Sequence, residues 1–501
     1  MTSGNIEREV KLAVWPGFVL PALDDVVDGA LAVPAAETRL DAVYYDTSDF
    51  RLAREGITLR HRSDGGWTLK LPDEGAPVGG LSRREITIDA GPREVPAEIS
   101  SLVASRVRTS ALEPVAKLQT LRRRTDLVDP EGATVAEVVD DEVSVLDGRR
   151  VALRFREVEV ELRNGDVPGA LDAIVDRLRS AGAGAPDPTP KVLRALGPGA
   201  QADPELATRG LGKRATAGDV LTVGLTRAAR RLVENDPGVR VGGDDEFVHQ
   251  ARVATRRMRS DLRTFGDLLD EGWATSMRDE LRWLGDALGE VRDADVLLHR
   301  IRRQLDGLRR SDRVVGTALL DVIGTQRAAA RARLLEVVDT PRYARLLDRV
   351  VDGAREPRLL DAAGAPARDV VPRLVRGPWS ALEKAMNRIG PTSADEELHA
   401  VRIRAKRARY AADVAALVIG GSAKRLADEI ARVQDVLGAH QDACVAREWL
   451  RRTALDVDAP VAFAAGQLAA QQDAESSARR AELPAAWRRA SKRKLRTWLT
   501  R

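Results

Sequence analysis

Three separated segments of this chain alternate charge with apolarity at a period of two. Ile6-Glu7-Arg8-Glu9-Val10-Lys11-Leu12 puts Glu7, Glu9 and Lys11 on one side and Ile6, Val10 and Leu12 on the other, interrupted by Arg8. Leu59-Arg60-His61-Arg62 pairs two guanidiniums on one side, and Phe155 to Leu162 aligns Glu157, Glu159 and Glu161 against Arg156, Val158, Val160 and Leu162. Successive strand residues face opposite ways, so each segment reads as a strand with one charged face. The pattern is satisfied if the strands close into a barrel with the charged faces inward. One wall is then basic and the other acidic. Crowded carboxylates repel unless a cation lies between them. Crowded guanidiniums need an anion, and phosphate oxygens match their forked geometry. A divalent cation with a phosphate chain satisfies both walls.

At 501 residues the chain exceeds one core, so two or three domains are expected. Residues 5–165 read mostly as short alternating strands broken by turn signals such as Asp64-Gly65-Gly66 and Asp147-Gly148. A helix is expected over 167–181, with Leu171, Ile174, Val175 and Leu178 on one face. Loose Gly/Ala/Pro stretches follow, and from about 215 the spacing is helical throughout. The expected domains are 1–200, a linker at 201–212, and 213–501, the last divided at about 213–345 and 365–501.

The charge divides with the domains. Residues 1–200 carry 26 Lys+Arg against 33 Asp+Glu, whereas 201–501 carry 54 against 43. The basic second half favours a polyanionic partner. Aromatics are 4% of the chain, which leaves few stacking platforms and disfavours nucleic acid. Cys444 is the single cysteine, so no intrachain disulfide forms, which fits a reducing compartment. No leader-like apolar start and no membrane-length apolar run is read, so a cytoplasmic protein without membrane contact is expected. No Walker-type loop with its lysine occurs, which sets P-loop chemistry aside.

The first 200 residues resemble the CYTH family, the triphosphate tunnel metalloenzymes. The resemblance rests on the Glu7-x-Glu9-x-Lys11 opening, Tyr44-Tyr45-Asp46-Thr47, Arg60-x-Arg62, Lys70, Arg84-Glu85, Arg122 to Arg124, Asp140, the Glu157-x-Glu159-x-Glu161 run and Pro190-Lys191. It implies an α+β multidomain chain whose N-terminal part is a closed antiparallel β-barrel tunnel of about eight strands with flanking helices. It implies Mg²⁺ or Mn²⁺ held by Glu7, Glu9, Asp140, Glu157, Glu159 and Glu161. Triphosphate would be held by Lys11, Arg60, Arg62, Lys70, Lys191 and an arginine of the 122–124 strand, with Glu85 orienting neighbouring cations. Strand parity puts Arg122 and Arg124 on one face, and Arg122 is preferred. Glu7, Glu9, Lys11 and Glu159 are the expected catalytic residues. Tyr44, Tyr45, Asp46 and His61 are expected to be structural.

The second half repeats itself. His249-x-x-Arg252-x-x-x-Arg256-Arg257-x-Arg259 recurs 150 positions later as His399-x-x-Arg402-x-x-x-Lys406-Arg407-x-Arg409. Leu288-Gly289 to Asp293 recurs 149 positions later as Leu437-Gly438 to Asp442, which is read as setting His440 opposite Arg292. The 3,4 spacing puts each basic set on one helix face, and two matching stripes would line a groove for a long polyanion. This half resembles the CHAD (conserved histidine α-helical) domain. The resemblance implies an all-α domain of two duplicated four-helix bundles that binds inorganic polyphosphate through those residues. His249 and His399 each lack a second His or Cys at ligand spacing, so hydrogen bonding to phosphate or a structural contact is expected of them rather than metal ligation.

Together these imply a metal-dependent triphosphatase acting on inorganic triphosphate or a related triphosphate, with a polyphosphate-binding module and association with polyphosphate granules. Two alternatives share the motifs: a class IV adenylate cyclase-like enzyme, and a non-catalytic polyphosphate scaffold.

Overall fold

The protein is described by a computed structural model that covers residues 5–72, 81–163, 169–187 and 189–500. The side chains of residues 5–8, 81–84 and 500 lie outside that description. The chain divides into two compact units, Met1–Glu205 and Leu206–Arg501. The stretch expected as a linker is shared between them. Glu205 pairs with Arg108 at 2.8 Å, whereas Leu206 joins the helical core at 4% exposure.

In the first unit the elements are β1 (Asn5–Val14), β2 (Leu31–Pro34), β3 (Thr38–Asp46), α1 (Arg51–Arg54), β4 (Thr58–Arg62), β5 (Gly66–Pro72), β6 (Leu81–Ile88), α2 (Ala97–Val107), β7 (Glu113–Val128), β8 (Thr134–Asp147), β9 (Arg150–Leu162), α3 (Ala170–Ser180) and α4 (Lys191–Leu196). The strands form one antiparallel sheet in the order β2-β7-β3-β4-β5-β6-β1-β9-β8, and β8 pairs again with β7, so the sheet curls.

Directly opposed residues of an antiparallel pair share a face. The register therefore carries one face around the curl. Lys11 opposes Glu159, Glu157 opposes Asp141, Asp141 opposes Arg122, and Arg122 opposes Thr38. Tyr44 opposes Arg60, Thr58 opposes Lys70, and Lys70 opposes Glu85. This is the inner face.

The outer face holds the apolar partners. Leu12, Val138, Val158 and Val160 are each fully buried there, against Ile174 and Leu178 of α3. Ile174 and Leu178 are four apart, which puts both on one stripe of the helix. Each contributes about 1.5–3 kcal/mol by its burial. Around β4 and β5, Leu59, Trp67 and Leu69 pack on Ile99 and Val103 of α2. Gly66 lets the β4–β5 hairpin close. Its φ is +66°, and a Cβ there would stand 2.5 Å from the Ile88 carbonyl oxygen.

The second unit is helical: α5 (Ala217–Val241), α6 (Asp245–Thr264), α7 (Glu271–Leu305), α8 (Arg310–Gly316), α9 (Ala318–Val338), α10 (Pro341–Arg355), α11 (Ala367–Met386), α12 (Asp395–Ile419), α13 (Gly421–Thr453) and α14 (Ala459–Ala490). Thr216 and Asp219 close a capping box on α5, with bonds of 3.1 and 2.8 Å. The repeated segments are α6 with α12 and α7 with α13. One apolar cluster draws on both copies, including Met258 and Leu281 of the first and Val401 and Leu426 of the second. A smaller cluster joins the far ends of α7, α9, α13 and α14 through Ile301, Ile323, Leu450 and Leu468. No helix among the described residues is long and apolar enough to cross a membrane.

Candidate active site

Inside the curl is a cavity of about 630 Å³. Arg60, Arg62 and Lys70 on β4 and β5 line one side, and Glu9, Glu159 and Glu161 on β1 and β9 line another. Period-two alternation places these groups together, and the apolar outer face holds the strands in that orientation.

The acidic wall is threaded with cations. Lys11 Nζ lies 3.3 Å from Glu9 and bonds Glu159. Lys191, the first residue of α4, reaches Asp141 at 2.6 Å, Glu159 at 3.1 Å and Glu157 at 3.2 Å. Arg122 grips Asp141 with two bonds of 2.9 and 2.7 Å. Burial works against the charges of Lys11, Lys191, Arg122, Asp141 and Glu159, but their neighbours win, whereas at Glu157 burial prevails and raises the carboxyl. The Lys11 and Lys191 ammoniums are raised above the usual lysine range, chiefly by Glu159. Burial is likewise outweighed at Glu159, where Lys11, Lys191 and Arg122 hold the carboxyl well below its usual range.

The basic wall is less compensated. Arg62 pairs with Asp64 at 3.2 Å, and Lys70 pairs with Glu85 at 2.7 Å. Burial and the adjacent Arg60 both lower the Arg62 guanidinium. Arg60 Nε is buried and lacks a hydrogen-bond acceptor, and the contact of the buried Arg62 Nε with Asp64 is an ion pair without hydrogen-bond geometry. Such donors fit an anion. The facing carboxylates suit a hard divalent cation with oxygen ligands. Both walls together therefore fit a metal with a phosphate chain.

The expected site residues do not all fall in one place. Glu7 stands in register opposite Arg83, and its side chain lies outside the described residues. Asp140 corrects the sequence reading. It sits on the outer face, held by Arg156 at 2.8 and 2.6 Å, because β8 turns its even positions toward Val138 and the apolar layer. Its neighbour Asp141, which the motif comparison passed over, is fully buried on the inner side. Its register partners Glu157 and Arg122 were the signal that selects it. Glu157, expected to hold metal, is fully buried behind Lys191 and does not line the cavity. It is ion-paired to Lys191 and, at 3.0 Å, to Arg194, though neither contact has hydrogen-bond geometry. Glu161 lies toward the mouth with Arg163 at 3.0 Å. Arg124 is inward-facing but 45% exposed, near Asp126, whereas Arg123 turns out to Glu37. Tyr44, expected to be structural, lines the cavity beside Arg60. Asp46 caps α1 through the Leu52 and Ala53 amides, and His61 bonds the Ala90 carbonyl outside.

In the helical unit, α6 and α12 pack together, and Arg256 Nε donates to Tyr410 Oη at 2.6 Å. Arg252, Arg256, Arg402 and Lys406 form one same-sign neighbourhood. Burial, then Arg402, Arg256 and Arg252, push the Lys406 ammonium down to about 7. Arg402 Nε is buried without an acceptor. Arg252 and Arg402 lie over Gly289 and Gly438, where a Cβ would come within 3.3 and 3.8 Å of a guanidinium nitrogen. The glycines of the repeat thus give the arginines room.

Arg257 and Arg409 do not join that group. Both flank the Tyr410 ring, and Arg257 pairs with Asp261 at 3.2 Å and Asp413 at 3.3 Å. Arg259 faces Arg282 and Arg278, and Arg407 lies near Arg404 and Arg263. His249 lies beside Arg292. His399 shares a 2.9 Å hydrogen bond with Gln441. That contact corrects the repeat alignment, because the 149-residue spacing that joins Gly289 to Gly438 puts Gln441, not His440, opposite Arg292.

Comparison with known proteins agrees with this division. Residues 5–186 match the CYTH domain and residues 224–451 the CHAD domain. The chain is 33% identical to the uncharacterized protein Rv2226 of Mycobacterium tuberculosis strain H37Rv over 97% of both chains. It has the same identity and coverage with the uncharacterized protein MT2285 of strain CDC 1551. Among solved structures it is similar to PptA from Streptomyces chartreusis, with 25% identity and a TM-score of 0.47 over 55% of this chain and 100% of that one. It is also similar to the CHAD domain from the plant Ricinus communis, with 26% identity and a TM-score of 0.47 over 56% and 95%. CYTH domains are metal-dependent, and their family is typically one of phosphoryl-transfer and hydrolytic enzymes. The chain thus belongs to the family of proteins in which a CYTH domain is followed by a CHAD domain.

Proposed function

We propose that the curled sheet closes into a tunnel that hydrolyses the terminal phosphate of inorganic triphosphate or a related triphosphate. The cofactor is Mg²⁺ or Mn²⁺, and the helical unit, two duplicated four-helix bundles, binds polyphosphate. The observation that carries this reading is the cavity with a guanidinium wall across from a carboxylate wall. Anion binding alone would need no carboxylates. Closure is supported by the second pairing of β8 with β7.

In this reading Arg60, Arg62 and Lys70 take the non-bridging oxygens of the phosphate chain, which fill the orphan Nε donor of Arg60 and complete the poorly aligned one of Arg62. Glu9, Glu159 and Glu161 would hold the metal, and Glu7, two positions before Glu9 on β1, is the expected fourth carboxylate. When bound, the metal supplies charge neutralisation and a lowered pKa for water. Lys11, Lys191 and Arg122 keep Glu159 ionised, so it cannot act as a proton donor. Asp141 and Glu157 fix Lys191 from behind. Water attacks the terminal phosphorus in line, its proton passes to solvent, the phosphoanhydride bond breaks, and diphosphate leaves with its charge against Arg60 and Arg62.

The test is incubation with Mg²⁺ and triphosphate, ATP or long-chain polyphosphate, followed by product identification. Phosphate release that disappears in Glu9→Ala and Lys11→Ala supports hydrolysis. Cyclic AMP from ATP would replace it with the cyclase reading, and tight chain binding without turnover would replace it with the scaffold.

A further inference from the structure

His440 and Cys444 stand one turn apart on α13, and Asp395 is the first residue of α12. His440 Nε2 lies 3.3 Å from Asp395 Oδ1, and Cys444 Sγ lies 3.3 Å from Asp395 Oδ2. The sulfur is 3.9 Å from His440 Nε2. All three groups thus offer ligand atoms within 4.8 Å of one another. A tetrahedral zinc site, with bonds of about 2.0 Å to nitrogen and oxygen and about 2.3 Å to sulfur, has edges of roughly 3.3–3.6 Å. The carboxylate meets the imidazole with Oδ1 and the thiol with Oδ2, each at 3.3 Å, and the 3.9 Å between nitrogen and sulfur is a few tenths of an ångström longer than such an edge.

The internal repeat supplies a control. Its spacing sets Asp245 opposite Asp395, Val291 opposite His440 and Asp295 opposite Cys444. In the first copy Asp245 is held by Arg292 at 2.9 Å and lies 3.5 Å from His299, Val291 is buried in the apolar core, and Asp295 pairs with Arg327. That copy has neither an imidazole nor a thiol at these positions. In the second copy both positions differ together. His440 is 3% exposed at a place where the fold accepts valine. The polar partner of this buried imidazole is the Asp395 carboxylate.

We propose that Asp395, His440 and Cys444 bind a zinc-class cation that staples the start of α12 to α13. Imidazole, carboxylate and thiolate favour zinc over the hard cations suited to the cavity. The thiol proton passes to solvent as the sulfur–metal bond forms, and the thiolate adds negative charge that Asp395, already paired with Arg447 and Arg480, does not supply alone. Arg447 and Arg480 bond Asp395 at 3.0 and 2.7 Å and hold its carboxylate in place. The fourth position is left to water.

Co²⁺ titration of the full-length protein tests this. Cys444 is the only cysteine, so a thiolate-to-cobalt absorption band in the near ultraviolet has one source, and the carboxylate-lined cavity contributes none. One equivalent of Co²⁺ should produce the band, and Zn²⁺ should abolish it. Cys444→Ser and His440→Ala should lose it while keeping triphosphate turnover. Absence of the band in the wild-type protein would overturn the site without recourse to any variant, as would an unchanged band in His440→Ala.

Discussion

The two charged regions of this protein are built on opposite principles. In the sheet cavity nearly every charge near the acidic wall has a partner of the other sign. Lys11, Lys191 and Arg122 interlock with Glu9, Asp141 and Glu159, and Lys11, Lys191 and Glu159 keep their charge although buried. In the helical unit Arg252, Arg256, Arg402 and Lys406 crowd together with the same sign, and the weakest of them yields its proton near pH 7. The first arrangement is preorganised, and a ligand only exchanges one counter-charge for another. The second sets four cations against Asp293, 2.7 Å from Arg252, and Asp442 beside Arg402 and Lys406, and so keeps a cationic excess for an anion to meet. Full compensation suits chemistry at a fixed point, and a cationic excess suits capture of a chain.

The largest expected effect probes the compensated side. Glu159→Gln removes the carboxylate shared by Lys11, Lys191 and Arg122, and phosphate release from triphosphate should fall by about 100- to 1,000-fold, with the fold checked by circular dichroism. An undiminished rate would mean that the cavity does not run the reaction.

On the uncompensated side, Arg252→Glu with Arg402→Glu should weaken retention of long polyphosphate by roughly 100-fold, about 1.5 kcal/mol or more for each lost charge-assisted contact. Triphosphate turnover should be unchanged. Equal loss of both would erase the distinction between the two regions.

A smaller effect follows from Lys406. Below pH 7 it is charged with or without ligand. Above about 7 the free protein has lost that proton, and an anion must restore it. Polyphosphate affinity should therefore fall by up to about tenfold per pH unit as pH rises past 7. Lys406→Met should flatten that slope. Because the folded state lowers the lysine's pKa, protonated Lys406 destabilises the fold toward acid, so the variant should also melt higher at pH 6 than the wild type.

The smallest effect on turnover separates adjacent aspartates. Asp140→Asn should cost about 1–3 kcal/mol of stability through its lost pair with Arg156, yet leave the rate of the folded protein intact. Asp141→Asn should lower the rate, because it loosens Lys191 and Arg122.

Much of the site was legible because strand alternation is local. Glu9, Lys11, Arg60, Arg62, Lys70 and Glu159 share a face by parity alone. Asp140 was misplaced because two consecutive aspartates offer both parities, and only the pairing of β8 with β7 and β9 decides between them. The side-by-side stripes were half legible. Helical spacing gathers Arg252 with Arg256 and Arg402 with Lys406, but Arg257 is drawn to Asp413 across the helix pair, and Arg409 to Asp413 on its own helix. The His440-x-x-x-Cys444 spacing was present to be read, yet its carboxylate partner lies 45 residues earlier.

The sequence by itself determined the two-part division, the charged inner face of the sheet and the duplicated basic helices, since each rests on periodicity within one element. The tertiary structure alone decided which charges compensate one another, which aspartate turns inward, and that Asp395 meets His440 and Cys444. Those depend on contacts between segments far apart in the chain, which no single period encodes.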